Sequence, residues 1–131
     1  EMKYCLYGND INEKCTPLDA GLNWVVNFSK NHFVGKNALI KQKKNGIKNK
    51  LIAFQMLEKC IPRKNYFIYS NNTKIGEVTS GTFSIGLKYG IGMGYIKNSF
   101  IDKEIYIVIR NKKYKAQIIK PPFISNYSLY N

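Results

Sequence analysis

Past Asn45-Gly46 the chain is built from short apolar runs: Leu51–Met56, Tyr66–Tyr69, Ile75–Thr79, Gly90–Ile96, Glu104–Arg110 and Tyr114–Ile119. Turn residues such as Ser70-Asn71-Asn72 and Arg110-Asn111-Lys112-Lys113 separate them. The runs are rich in β-branched and aromatic residues, which suit a pleated, half-buried surface. They predict short strands forming a small antiparallel β-barrel or a jelly-roll-like domain. Ahead of them, Thr16-Pro17 with Asp19 reads as a helix N-cap followed by proline at the first position, predicting a short helical turn over Pro17–Gly21. Trp24–Phe28 has strand character. Asn37–Lys44 is predicted to be a short helix whose lysines complement the C-terminal dipole and which Gly46 stops. The fold class is α+β, mainly β, with units 1–49 and 50–131 meeting near Lys48–Leu51.

Composition narrows this picture. With 131 residues, 44% hydrophobic and 14% aromatic, the chain suits one compact domain, or one domain plus a fragment of a neighbour. Its apolar stretches are short and flanked by charge, so none approaches the about 18 residues of a membrane-spanning helix. The N-terminus lacks the sections of a signal peptide, and a removed targeting segment stays open. Cys5, Cys15 and Cys60 are an odd number without a C-x-x-C pair, and His32 is alone, so no metal is expected. Reduced cysteines fit an intracellular or organellar compartment.

The net charge of +13 raises nucleic-acid binding, since Lys and Arg supply most non-specific affinity for phosphates. The kind of charge opposes it. Of 21 basic residues only Arg63 and Arg110 carry the guanidinium fork that bidentate recognition favours. Abundant Lys, Asn, Ile and Tyr together are the usage of an AT-rich coding sequence.

Candidate chemistry is sparse. Gly90-Ile91-Gly92-Met93-Gly94 lacks dinucleotide-fingerprint spacing and fits close backbone contact inside a barrel instead. Thr79-Ser80-Gly81-Thr82 offers hydroxyls but no lysine at P-loop spacing. His32, the one histidine, suits a surface or capping role better than that of a catalytic base. Asp10, Glu13 and Asp19 form an acidic group that loop solvation and helix capping account for. No self-contained active site emerges.

The ordered set of short motifs is more informative: Leu6-Tyr7-Gly8-Asn9-Asp10-Ile11, Thr16-Pro17-Leu18-Asp19-Ala20-Gly21-Leu22 with Trp24, Phe33-Val34-Gly35-Lys36, Ile75-Gly76-Glu77-Val78-Thr79-Ser80-Gly81, Ile91-Gly92-Met93-Gly94-Tyr95, Ile109-Arg110 and Pro121-Pro122-Phe123. In this order the chain resembles the C-terminal third or more of the glycine cleavage T proteins, a family of aminomethyltransferases. With an opening on Glu1 rather than methionine, it reads as a piece of a longer protein. The resemblance implies a three-domain, cloverleaf-like enzyme with tetrahydrofolate, its co-substrate, in a central cavity. A lipoyl carrier, the H protein, would present the aminomethyl group, and transfer would release ammonia and yield methylene-tetrahydrofolate. Residues 1–49 would be the tail of the central folate-binding region and 50–131 the C-terminal β-barrel domain.

By the same resemblance the catalytic aspartate and most folate contacts lie upstream of Glu1, so this piece is expected to be inactive alone. Tyr127, aligned through a one-residue gap, is placed at the substrate or else is an exposed tail aromatic. Tyr7 and Trp24 line the folate side of the cavity or pack in a core. Arg63 pairs with a carboxylate at a domain interface or with the carrier. Ile85 stands where the family usually has proline. The compartment implied is bacterial cytoplasm or mitochondrial matrix. The rivals are a folate-binding relative of the iron-sulfur assembly or dimethylglycine and sarcosine oxidoreductase type, and a basic nucleic-acid-binding β module.

Overall fold

A computed structural model describes residues 1–124. Its centre is a closed, fully antiparallel barrel of six strands: β1 (Asn49–Met56), β2 (Phe67–Ser70), β3 (Thr73–Ser84), β4 (Tyr89–Lys97), β5 (Ile105–Ile109) and β6 (Lys112–Ile119). Around the barrel the order is β1-β4-β3-β2-β5-β6, and β6 pairs back onto β1 through Ala53–Met56. Closure leaves no free sheet edge. Each strand coincides with one of the apolar runs, although β3 extends well past Thr79 to Ser84.

Alternation along the strands decides what fills the barrel. Ile52, Phe54 and Met56 of β1, Ile68 of β2, Ile75 and Val78 of β3, Ile96 of β4, Ile105 and Ile107 of β5 and Ala116 of β6 form one buried cluster. β4 makes room for it with glycine. A Cβ on Gly92 would lie 2.6 Å from the Phe54 ring, and one on Gly94 would lie 2.6 Å from the Glu77 carbonyl oxygen.

The outward face of β1 and β4 is buried as well. Leu51 and Ala53, paired with Tyr95 and Met93 across the ladder, are covered although they point away from the core. The cover is the segment ahead of the barrel: the Leu51 N–H donates to the Asp19 carbonyl at 2.8 Å, and Leu18 and Ala20 beside it are buried. Without that segment an apolar stripe on a barrel strand would face water.

Over Pro17–Gly21, where a helical turn is expected, the chain makes a hydrogen-bonded turn that is not extended into a helix, with the Ala20 N–H donating to the Thr16 carbonyl at 3.1 Å and the Leu22 N–H to the Pro17 carbonyl at 2.7 Å. The helix follows as α1 (Lys36–Asn45), with Gly46 beyond its end at φ 87°. Trp24–Phe28 is not a strand. Asn23–Val25 is a single 3-10 turn, with the Val26 N–H donating to the Asn23 carbonyl. The β-prone composition has no neighbouring edge to pair with there, and Trp24 and Val25 are exposed, so an extended segment would bury nothing.

Candidate functional site

Residues 1–11 form a strap across the outer face of the β3–β4 ribbon. Its turn is set by Leu6, whose carbonyl accepts the Asn9 and Asp10 N–H groups at 3.1 and 2.9 Å, with Gly8 at φ 88° in the left-handed region that glycine adopts without strain. The turn directs Asp10 into the protein, where it is 2% exposed. Asp10 Oδ2 accepts the Leu6 N–H at 3.0 Å, and Oδ1 accepts the hydroxyls of Thr79 at 2.6 Å and Ser80 at 2.7 Å. A buried carboxylate is tolerated when donors replace its hydration, and here three do.

Thr79 and Ser80 are consecutive strand residues and would ordinarily point to opposite faces. A β-bulge prevents this: Val78 faces Gly94 and Ser80 faces Met93, leaving Thr79 as the extra residue. The bulge turns both hydroxyls toward one carboxylate.

Two further ties hold the strap. Lys64 Nζ donates to the Gly8 carbonyl at 3.0 Å and to Asn9 Oδ1 at 2.5 Å. At the other end Ser84 Oγ donates to Glu1 Oε1, and the Phe123 N–H donates to the Glu1 carbonyl at 3.1 Å. Between strap and barrel lies a cleft of about 480 Å³ whose walls include Met2, Tyr4, Leu6, Asp10, Met93 and Phe123. On the other side of the Asp10 contact a second cleft of about 530 Å³ carries Lys64, Lys97 and the ion pair of Lys74 with Glu77 among asparagines.

A second carboxylate organises the helix. Asp19 Oδ2 accepts the Thr16 N–H at 3.0 Å and the Thr16 hydroxyl at 2.8 Å, while the Asp19 N–H donates to Thr16 Oγ1 at 3.2 Å. This is a reciprocal cap. Asp19 Oδ1 accepts Gln42 Nε2 at 2.9 Å, fastening α1 to the turn. The capping role expected of Asp19 is thus present. The solvation expected of Asp10 is not, because the bulged strand supplies the donors that water would have given.

Burial pushes the thiols of Cys5 and Cys60 up, which keeps them protonated. The Tyr95 hydroxyl is buried without a hydrogen-bond partner, and burial, then the neighbouring Cys15 thiol, raise its pKa as well. His32 is exposed in the loop just ahead of α1. Among the described residues no group of three or more His, Cys, Asp and Glu could hold a metal ion, and no helix is long and apolar enough to cross a membrane.

None of the described site residues read from the sequence lines either cleft. Trp24 is 79% and Tyr7 67% exposed, so neither packs in a core, and neither lines the two clefts beside the strap. Arg63 is exposed at the turn before β2, where its carbonyl accepts the Tyr66 N–H, and it has no carboxylate partner among the described residues. Tyr127 lies outside the described residues. Asp10, Thr79 and Ser80 are the residues that sequence reasoning missed as a unit; two adjacent hydroxyls beside glycine on one strand were the available signal.

Residues 49–124 match the model of the glycine cleavage T-protein C-terminal barrel domain. Along 126 residues the chain is 47% identical to the aminomethyltransferase of Halothermothrix orenii, covering 95% of this chain and 35% of that protein. It is 46% identical over 127 residues to the aminomethyltransferase of Phocaeicola vulgatus, covering 94% and 35%. Among solved structures, the crystal structure of glycine cleavage system aminomethyltransferase T from Bartonella henselae superposes with a TM-score of 0.88 at 28% identity, over 94% of this chain and 36% of that one. The chain therefore spans about a third of the length of the curated relatives it matches.

Proposed function

Because the chain belongs to the glycine cleavage T-protein family through its barrel domain, we propose that it supplies one wall of the folate cavity of an aminomethyltransferase. The observation that carries this reading is the strap, pinned by Asp10, which bounds a cleft with apolar and hydrogen-bonding walls. A planar heterocycle with polar edges suits such walls. In this reading residues 1–49 close the folate-binding region and 50–131 form the barrel beneath it. In the complete enzyme Tyr7, Trp24 and Tyr127 would contribute to folate binding, and Arg63 would meet the carrier or a neighbouring domain.

The chemistry divides accordingly. The enzyme would move the methylene of an aminomethyl-lipoyl group on the H protein to tetrahydrofolate, releasing ammonia and leaving the reduced lipoyl arm. The role assigned to Asp10 is to anchor the strap, through three donors on its carboxylate. The strap and barrel hold the folate in place and keep water from one side of it, which contributes through positioning. Proton handling belongs to the rest of the polypeptide. The net charge of +13, carried mostly by lysine, suits a glutamyl tail or an acidic carrier, with attraction that falls as salt rises. The compartment that fits this activity is bacterial cytoplasm or mitochondrial matrix.

Hydrogen exchange on the complete enzyme tests the assignment. Tetrahydrofolate is expected to slow exchange at residues 1–10, and unchanged exchange in that segment under saturating ligand would count against it.

A further inference from the structure

Across the barrel from the strap lies a second patterned surface. In the ring of strands β5 stands opposite β4, the strand that both clefts lie against. Ile68, Ile105 and Ile107 point into the barrel cluster, so alternation turns Phe67 and Tyr69 of β2 and Tyr106 and Val108 of β5 outward. Tyr69 and Tyr106 are direct ladder partners, and their row continues to Lys74 on one side and Lys115 on the other. Phe67 is 42% exposed, and the two tyrosines are partly so.

Cations already sit on these rings. Lys74 Nζ lies 3.6 Å from the centre of the Phe67 ring and Lys113 Nζ 5.2 Å from that of Tyr69. Lys74 is also paired with Glu77, and Lys115 with Glu104, whose other oxygen accepts the Tyr106 hydroxyl at 3.1 Å. Lys113 instead donates to neutral acceptors, the Asn71 carbonyl and Asn72 Oδ1, both at 2.9 Å. Arg110 and Lys112, at the adjoining β5–β6 turn, have no carboxylate partner among the described residues. The face thus has an aromatic centre and, at one end, three cations that no carboxylate neutralises.

We propose that this β2–β5 face binds single-stranded nucleic acid without sequence preference, bases stacking on Tyr106, Tyr69 and Phe67 while phosphates meet Lys113, Arg110 and Lys112. Stacking tolerates any sequence because every base has a π-face, and lysine suffices to neutralise a phosphate. The scarcity of arginine, which opposes the reading of base edges, leaves this mode intact. A base that lands on one of these rings releases its lysine toward the phosphate that arrives with the base. The net charge of +13 adds long-range attraction for a polyanion. An acidic polypeptide would satisfy the cations but offers no succession of planar groups to the rings. The face meets the second cleft only at the Lys74–Glu77 pair, so loss of nucleic-acid binding and loss of folate binding are separately observable.

Fluorescence anisotropy with the full chain and a labelled single-stranded RNA of about 15 nucleotides, at about 0.15 M salt, tests this. Micromolar affinity that falls as salt rises is expected, weakened at least about fivefold by Tyr106→Leu, which keeps every charge, and by Lys113→Glu. Lys44→Glu on α1 alters the net charge equally and is expected to weaken binding by less than about twofold. Lys113 and Lys44 are both exposed, so that comparison stands even if Tyr106→Leu impairs folding. No binding, equal weakening by the two lysine variants, no effect of Tyr106→Leu in a chain that melts as wild type does, or a duplex of the same sequence bound as tightly would overturn the proposal. So would complete displacement of the RNA by polyglutamate at equal charge, which would make an acidic polypeptide the occupant.

Discussion

The hydroxyl of Thr79 lies 2.6 Å from Asp10 Oδ1, although 69 residues of chain separate them. With Ser80 on the same oxygen and the Leu6 N–H on the other, this contact joins the strap to the barrel. Asp10→Ala leaves two hydroxyls and a backbone N–H without their acceptor and is expected to cost about 2–4 kcal/mol in urea unfolding. Thr79→Val removes one donor of three and is expected to cost about 1 kcal/mol. Equal and negligible losses for the two would contradict the assignment of Asp10 as the strap's anchor.

Gly92 and Gly94 separate two kinds of crowding. A methyl group on Gly92 meets the far end of the Phe54 ring at 2.6 Å and the Ser80 carbonyl oxygen only at 3.0 Å, whereas one on Gly94 meets the Glu77 backbone carbonyl oxygen at 2.6 Å and the Ile68 side chain at 2.8 Å. Gly94→Ala is therefore expected to be the more damaging, with Gly92→Ala costing about 1–3 kcal/mol. The reverse order in thermal unfolding would show that the ring is the more rigid neighbour.

Asp19 is expected to govern α1. Thr16→Ala loses a cap worth about 1 kcal/mol, while Asp19→Ala also releases Gln42 and with it the helix. Amide exchange in Lys36–Asn45 should accelerate in Asp19→Ala and stay close to wild type in Thr16→Ala. Acceleration to the same degree in both would mean that the turn, not Gln42, holds the helix.

The exposed pair of Glu104 and Lys115, at 2.5 Å, gives a small pH dependence. Hydrogen bonds from Lys115 and then Tyr106 lower the Glu104 pKa, and the Glu104 contact raises that of Lys115. A lowered carboxyl pKa contributes stability above its unfolded value of 4.5 that is lost as pH falls through the folded one. The raised lysine contributes below its unfolded value of 10.5 and loses this as pH rises further. The contribution is thus complete between those limits and weakened by salt. Glu104→Gln should flatten the acid limb slightly at low ionic strength, and an unchanged limb would show that the pair contributes nothing.

Much of this molecule was legible in the sequence because its strands are local events. Leu51–Met56 and Ile105–Ile109 announce themselves through β-branched residues bounded by turns, and Gly46 marks the end of α1. What was not legible depends on distant parts of the chain. Pairing of Phe54 with Ile118 closes the barrel, yet nothing within either strand specifies the other. Trp24–Phe28 has strand composition and no edge to join, so propensity misled. Asp10 looked solvated because a carboxylate in an Asn-Asp turn ordinarily is. Its burial requires a bulge at Thr79, a feature of the β3–β4 register that no local pattern displays.

The central claim, that this chain is the barrel-bearing wall of an aminomethyltransferase, is tested most directly by transfer itself. In a full-length chimera that carries this chain in place of the Halothermothrix orenii C-terminal third, ammonia release from an aminomethylated lipoyl carrier is the quantity to measure. The expected result is tetrahydrofolate-dependent release within about tenfold of the parent enzyme, a difference of about 1.4 kcal/mol in barrier. A folded chimera that binds the carrier and releases no ammonia with tetrahydrofolate present would contradict the account.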